Sequence, residues 1–297
     1  RGHFVGHYLA ALASGGSGGD ASLVLLARHA MAVLVDCQRA HAGRMLIGYL
    51  AAFPPTEFDK VEGLCHPGCD AWVPHYATQK ILTGLLALHL ELQLPEALPL
   101  ALGMASYLWR RSAALAASKG EAHWAELLDY EVGMLSDVYV QIATLTANAT
   151  WLQAAALFDR RCFSAPLALA GAMHAETATE AAAEGTRPFA QGAAEGGAAT
   201  AGIRGLHANA QLAFMLGVAA RYEADGEGNA RLAAEAYFRA MQSSHTYLSG
   251  GSSFMEEWRG AGNLAETLTH RGPRNWAAHD HQESCVTHHS MMLSRRM

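Results

Sequence analysis

Eleven residues near the end of the chain, HDHQESCVTHH, gather His279, Asp280, His281, Glu283, Cys285, His288 and His289. A thiolate, several imidazoles and a carboxylate in one short stretch suit zinc, whereas magnesium and calcium prefer oxygen ligands. The plainer alternative is a polar loop that runs into a helix from Ser284. Upstream, SGGSSFMEEW sets a tight turn at Gly250 and Gly251 beside Ser252 and Ser253, then the paired carboxylates Glu256 and Glu257. A carboxyl group held against Trp258 would lose solvent and its pKa would rise, as a general acid requires. A solvated glycine turn with surface glutamates is the competing reading.

Other polar residues stand where a ligand rich in hydroxyl groups would need them. GLHANAQ at 205–211 sets His207, Asn209 and Gln211 at the mouth of a helix. WVPHY carries Trp72 and Tyr76, and RGHFVGHY carries His3 and His7 one helical turn apart. Neutral donors and acceptors beside aromatic faces are what sugar recognition uses. Each of these residues also reads as a helix cap or a satisfied core polar group. Cys65 and Cys69 in CHPGC read better as flanks of a Pro-Gly turn than as a metal pair, since no second pair accompanies them. Five scattered cysteines do not make a disulfide framework.

The elements that must hold these residues are helices. Apolar residues recur at three and four, which predicts helices at 3–13, 21–41, 75–92, 96–117, 122–145, 149–158, 206–222, 229–244 and 284–296. Strand-like alternation is scarce. A faint repeat pairs Tyr139, Leu152 and Phe158 with Tyr222, Leu232 and Phe238, as helical hairpins of a solenoid or α/α barrel would. Residues 172–204, nearly all Ala, Gly, Glu and Thr, cannot bury much apolar surface and read as a low-complexity surface insertion.

Composition narrows the partners. The 297 residues are 51% hydrophobic and 16% charged, with a net charge of −6 and no basic run. Such a chain folds around a sizeable core and offers no cationic stripe for nucleic acid. The apolar stretch 22–35 is interrupted by Arg28 and His29, which reads as an amphipathic helix and not a membrane span. The chain starts at Arg1 inside an apparent helix, with no signal-peptide pattern, so its N-terminus is expected upstream and its compartment stays open, secreted and endomembrane locations included.

Eight stretches in this order resemble the glycoside hydrolase family of β-L-arabinofuranosidases, in its plant and algal form. They are RGHFVGHYLAALA, GYLAAFPPTEFD, WVPHYATQKILTGLL, HWAELLDYEVGM, LFDRRCF, GLHANAQ, SGGSSFMEEW and QESCVTHHSMML. The resemblance implies one all-α domain, an (α/α)6 barrel over residues 1–297 that is incomplete at its C-terminus. It implies a glycan or oligosaccharide substrate and a retaining mechanism in which a zinc-bound cysteine thiolate attacks the anomeric carbon. Carried over by position, Glu256 is the acid/base, and Glu283 and Cys285 are zinc ligands. His207 contacts sugar hydroxyls, and Gln79, Trp72, Tyr76 and His3 line the substrate site.

Three departures accompany the resemblance. The family's nucleophile and last zinc ligand form a cysteine pair well downstream of the Glu283–Cys285 pair, so both are expected beyond Met297. Gln79 stands where the family has a sugar-contacting histidine. EVGMLS, Glu131 to Ser136, replaces ExGGMN. Two further readings stay open: a metal-independent glycosidase or lyase on the same barrel, and a carbohydrate-binding relative without catalysis.

Overall fold

The computed structural model of the chain describes residues 2–43, 46–63, 73–131, 134–183, 203–248, 250–254, 256–262 and 284–297. Two compact units divide it, Arg1–Phe158 and Asp159–Met297. Both are helical, and no strand occurs among the described residues; three isolated bridges are the only β-type pairing there.

The first unit holds α1 (His3–Ser17), α2 (Ala21–Ala42), α3 (Thr56–Glu62), α4 (Pro74–Leu92), α5 (Ala97–Lys119), α6 (Glu121–Glu131), α7 (Ser136–Thr146) and α8 (Thr150–Leu157). A three-residue link joins α1 to α2. Gly19 takes φ 103° there, and the Asp20 carboxylate caps α2 by accepting from the Ser22 amide at 2.9 Å. So short a connection folds α2 back antiparallel on α1.

Helices α1 and α4 touch backbone to backbone. A Cβ on Gly6 would stand 1.9 Å from the Lys80 carbonyl oxygen, and one on Gly84 would stand 2.5 Å from that of Gly6. Further along, the Ser14 hydroxyl donates to Glu91 at 3.0 Å and Gly16 meets Leu92. The contacts advance together along both chains, so α1 and α4 run parallel and their N-termini share one end. That arrangement brings His3 to Tyr76.

α4 is buried on nearly every side, whereas α2 buries only Ala27 and Met31 and leaves Leu25, Leu26 and Val33 exposed. α1 and α4 are therefore the inner pair of this unit, and α2 is outer. At 22 residues α2 is long and apolar enough to cross a bilayer by length and composition. Here it lies against α1 and α5, and Gln38 ties it down by donating to the Gly48 and Leu100 carbonyls, both at 2.9 Å.

The helix expected over 122–145 is two helices. It stops at Glu131 and restarts at Ser136. Glycine inside a helix costs about 1 kcal/mol relative to alanine, and Gly133 sits in the break, itself outside the described residues. Tyr139 is fully buried, stacked on Trp151 at 5.9 Å and Phe158 at 5.6 Å, with its hydroxyl donating to the Ala105 carbonyl at 3.2 Å.

The second unit holds α9 (Arg161–Ala183), α10 (Ala208–Asp225), α11 (Gly228–Ser244) and α12 (Ser284–Arg296). α9 runs twelve residues into the segment expected to break the helical pattern at 172. Its alanines are the reason, since alanine is the best helix former even where it buries little. Residues 184–202 of the expected insertion lie outside the described residues. α9 packs antiparallel on α11, with Phe163 near Tyr237 at 6.2 Å and Gly171 against the Leu232 carbonyl.

α10 is buried continuously from Ala208 to Arg221, which marks it as the core helix of this unit. Its polar residues are all engaged. The Gln211 oxygen accepts from Arg160 at 3.2 Å, and Arg221 bridges Asp159 at 2.9 Å and Glu227. The repeat predicted around Tyr222 does not match its partner: Tyr222 is exposed, and Tyr237, not Phe238, is the fully buried ring.

Candidate active site

The residues that could act on a glycosidic bond in the second unit converge on the N-terminus of α10. His207 is the N-cap, in extended conformation. The segment before it pairs with the SGGSSFMEEW loop. Gly205 donates to the Trp258 carbonyl at 2.8 Å, Trp258 returns a bond to the Leu206 carbonyl at 3.0 Å, and the Ala208 amide donates to the Glu256 carbonyl at 2.7 Å. That last bond satisfies a first-turn amide that the helix itself leaves unpaired.

The loop reaches this position through two residues with left-handed backbone. Ser253 has φ 71° and Glu256 φ 66°, and Phe254 and Glu257, on either side of Glu256, exchange two backbone hydrogen bonds at 2.9 and 3.1 Å. Left-handed geometry costs a side-chain-bearing residue about 1–2 kcal/mol, so surrounding contacts must impose it. Trp258 supplies the anchor: it is 1% exposed, and its indole N–H donates to the Tyr237 hydroxyl at 3.1 Å.

The result is that Glu256 Oε2 lies 3.4 Å from His207 Nε2, with both side chains about half exposed. The neighbouring Glu257 turns toward Arg259, 3.8 Å away. Both glutamates face solvent, as the reading of surface glutamates on a glycine turn had them, and neither is walled in by Trp258; the tryptophan points inward and holds the loop from beneath.

α12 runs beside α10 in the same direction. His289 Nδ1 meets Asn209 Oδ1 at 2.5 Å near one end, and Arg296 pairs with Glu223 near the other. Cys285 lies one turn before His289 on the same face of α12 and is partly buried. His207, Glu256 and Cys285 thus occupy the same end of two parallel helices. Glu283 lies outside the described residues. No group of three His, Cys, Asp or Glu side chains gathers as a metal site would among the described residues.

In the first unit, His3 and Tyr76 meet at 5.7 Å between ring centres, and the buried Lys80 ammonium lies over the Tyr76 ring at 5.1 Å. Burial above all, with the Lys80 charge adding to it, holds the His3 imidazole below its ordinary pKa of 6.5. Gln79 is buried on α4. Its amide N–H donates to the Thr83 hydroxyl at 3.2 Å, and that hydroxyl donates to the Gln79 carbonyl at 3.0 Å, leaving the side-chain oxygen as an acceptor. Trp72 lies outside the described residues.

A buried pair that the sequence did not reveal stands behind these residues. His75 Nδ1 and Glu131 Oε1 are 3.6 Å apart, both all but inaccessible, and the His75 ring lies edge-on to Phe58 at 5.0 Å. The irregular EVGMLS segment was the available signal, but nothing local to it names His75 as its partner.

The family model for the β-L-arabinofuranosidase GH127 catalytic domain matches residues 1–297. The chain belongs to this family. Comparison with curated proteins gives no match. Membership of the GH127 family makes the chain a glycosidase, and its substrate a glycan. The helical hairpins of both units agree with the all-α barrel class expected of a GH127 catalytic domain.

Proposed function

We propose that this GH127 chain cleaves terminal β-L-arabinofuranosyl residues from an oligosaccharide or glycan with retention of configuration, and that Glu256 is its acid/base. The observation that carries the assignment is the 3.4 Å approach of Glu256 to His207, imposed by a strained loop. Left-handed residues held by surrounding contacts cluster at functional sites. Protonated Glu256 gives its proton to the glycosidic oxygen as the nucleophile, by the family resemblance a cysteine thiolate, bonds to the anomeric carbon and the leaving oxygen departs. The resulting carboxylate then takes a proton from the water that releases the sugar. His207, beside the carboxyl group, supplies a hydrogen-bonding group for a sugar hydroxyl. Within the first unit, His3 and Tyr76 carry an imidazole and an aromatic face of the kind that sugar recognition uses.

Zinc, where bound, would keep a cysteine sulfur in its thiolate form at neutral pH. Glu283 and Cys285 are the residues proposed to hold it. Of the two, Cys285 lies partly buried near the N-terminus of α12.

The test compares Glu256→Gln with Glu257→Gln on aryl β-L-arabinofuranosides of graded leaving-group ability. Loss of a general acid costs about 10²–10⁴-fold, and most where the leaving group is poor. Glu256→Gln should show that gradient and Glu257→Gln should not. The reverse pattern would transfer the role to Glu257. Proton NMR of the first-formed sugar reads the stereochemistry.

A further inference from the structure

Beneath the Glu256 loop lies a polar cluster that this mechanism leaves unused. α11 ends at His245, which is 1% exposed and whose ring lies 5.5 Å from that of Trp258. Among the described residues, neither nitrogen of His245 has a hydrogen-bond partner, and the same holds for the buried hydroxyls of Ser252 and Ser253. A buried polar group left unpaired is costly, and its retention asks for an explanation.

The loop is folded around this histidine. Thr246 bridges antiparallel to Ser252, and the Tyr247 amide donates to the Gly251 carbonyl at 2.8 Å. With 246 opposite 252 and 247 opposite 251, the register sets His245 opposite Ser253. From the far end, the Gly262 amide donates to the Ser244 carbonyl at 2.9 Å. The start and the end of the loop therefore both close on the end of α11. Ser253 opens the turn that Glu256 ends, and both carry left-handed backbone.

We propose that His245 is a positioning residue for Glu256: as a neutral imidazole packed against Trp258 it supports the loop from inside, and its protonation releases the loop and the glutamate with it. This rests on the reading of Glu256 as the acid/base. Burial alone lowers the His245 pKa from 6.5, with no charge contributing. A histidine with a lowered folded-state pKa stabilises the closed loop fully above 6.5. That stabilisation is lost as pH falls below 6.5, because the opened loop takes up the proton first. Among the described residues, the titratable groups of the elements packed here are Tyr237, beyond Trp258 and pushed far upward by burial, Tyr247 next in the hairpin, and His288 and His289 of α12, which meets α11 where Ser290 donates to Met241. The charged residues of the loop, Glu256, Glu257 and Arg259, are all at least one-third exposed.

The test is amide hydrogen exchange in the protein, corrected for intrinsic rates, between about pH 5 and 7.5. Ala208, whose amide is held by the Glu256 carbonyl, and Trp258 report on the loop. In the wild type their protection should fall severalfold toward the acid end. His245→Gln keeps a neutral hydrogen-bonding group and should hold protection flat with pH. His245→Phe keeps a ring against Trp258 without a titratable nitrogen and should likewise hold protection flat with pH. In hydrolysis, both variants should keep the neutral-pH kcat and lose the acid-side decline. Flat wild-type protection would overturn the proposal, with no variant needed. So would a phenylalanine variant with wild-type protection and pH profile, since His245 would then be filler. If exchange behaves as expected but Glu256→Gln hydrolyses normally, the loop-positioning role stands and the acid/base reading of Glu256 falls.

Discussion

His289 and Asn209 meet at 2.5 Å across the α10–α12 contact, eighty residues apart in sequence and both buried. This contact fixes the register of α12 along α10. Because Cys285 is one turn upstream of His289, the same contact determines which end of the unit the thiol occupies. Replacing Asn209 with leucine should cost about 1–3 kcal/mol, the penalty for removing a partner from a buried polar pair. Chemical denaturation measures it, and a variant as stable as wild type would show that the pair sets geometry alone.

Gly6→Ala should be severely destabilising. The new methyl would stand 1.9 Å from the Lys80 carbonyl oxygen, a backbone atom with no rotamer to change. Overpacking of this kind costs about 1–3 kcal/mol and often more. A melting curve reads the loss. Gly226→Ala is the control: nothing stands within 4 Å, but its φ of 74° predicts a smaller penalty from backbone strain.

Removing the charge of Lys80 should raise the His3 pKa only part of the way back to 6.5. Burial is the largest cause of its depression, and Lys80→Met leaves burial in place. With the folded-state pKa lowered, His3 stays neutral until the pH is below 6.5, and its contribution to stability fades as the pH falls through that range. NMR titration of the imidazole C–H protons checks this. Complete restoration in Lys80→Met would make charge, not burial, the dominant cause.

Cys285→Ser should lower zinc content and leave the fold intact. Cys285 is partly buried near the N-terminus of α12, whose buried stripe is Val286, His289, Ser290 and Leu293. Elemental analysis after dialysis against a chelator, on wild type and variant, gives the answer. Unchanged zinc in the variant would remove Cys285 from the ligand set.

Periodicity located the long helices because each buries a regular face, and α10 and α12 were legible on that ground. α3 escaped since its seven residues, TEFDKVE, span too few turns to repeat. α9 escaped because an alanine-rich helix carries little hydrophobic contrast. Glu256 was singled out by the family resemblance of its GG-S-x-x-E pattern and not by its residue type. The left-handed backbone at Ser253 and Glu256 was not, since both are residue types that ordinarily avoid it. The pairs His289–Asn209 and His75–Glu131 join residues far apart in sequence, and only the folded chain brings them together.

The hydrogen bond from Ala208 to the Glu256 carbonyl, with the two that join Gly205 and Leu206 to Trp258, makes the 205–208 segment and the glutamate loop a single mechanical piece. Whatever displaces one displaces the other. An inhibitor of this enzyme therefore need not imitate a sugar: a small wedge that separates Leu206 from Trp258 would displace Glu256, the proposed acid, from behind, and a screen on loop opening would find compounds that a substrate-competition screen misses.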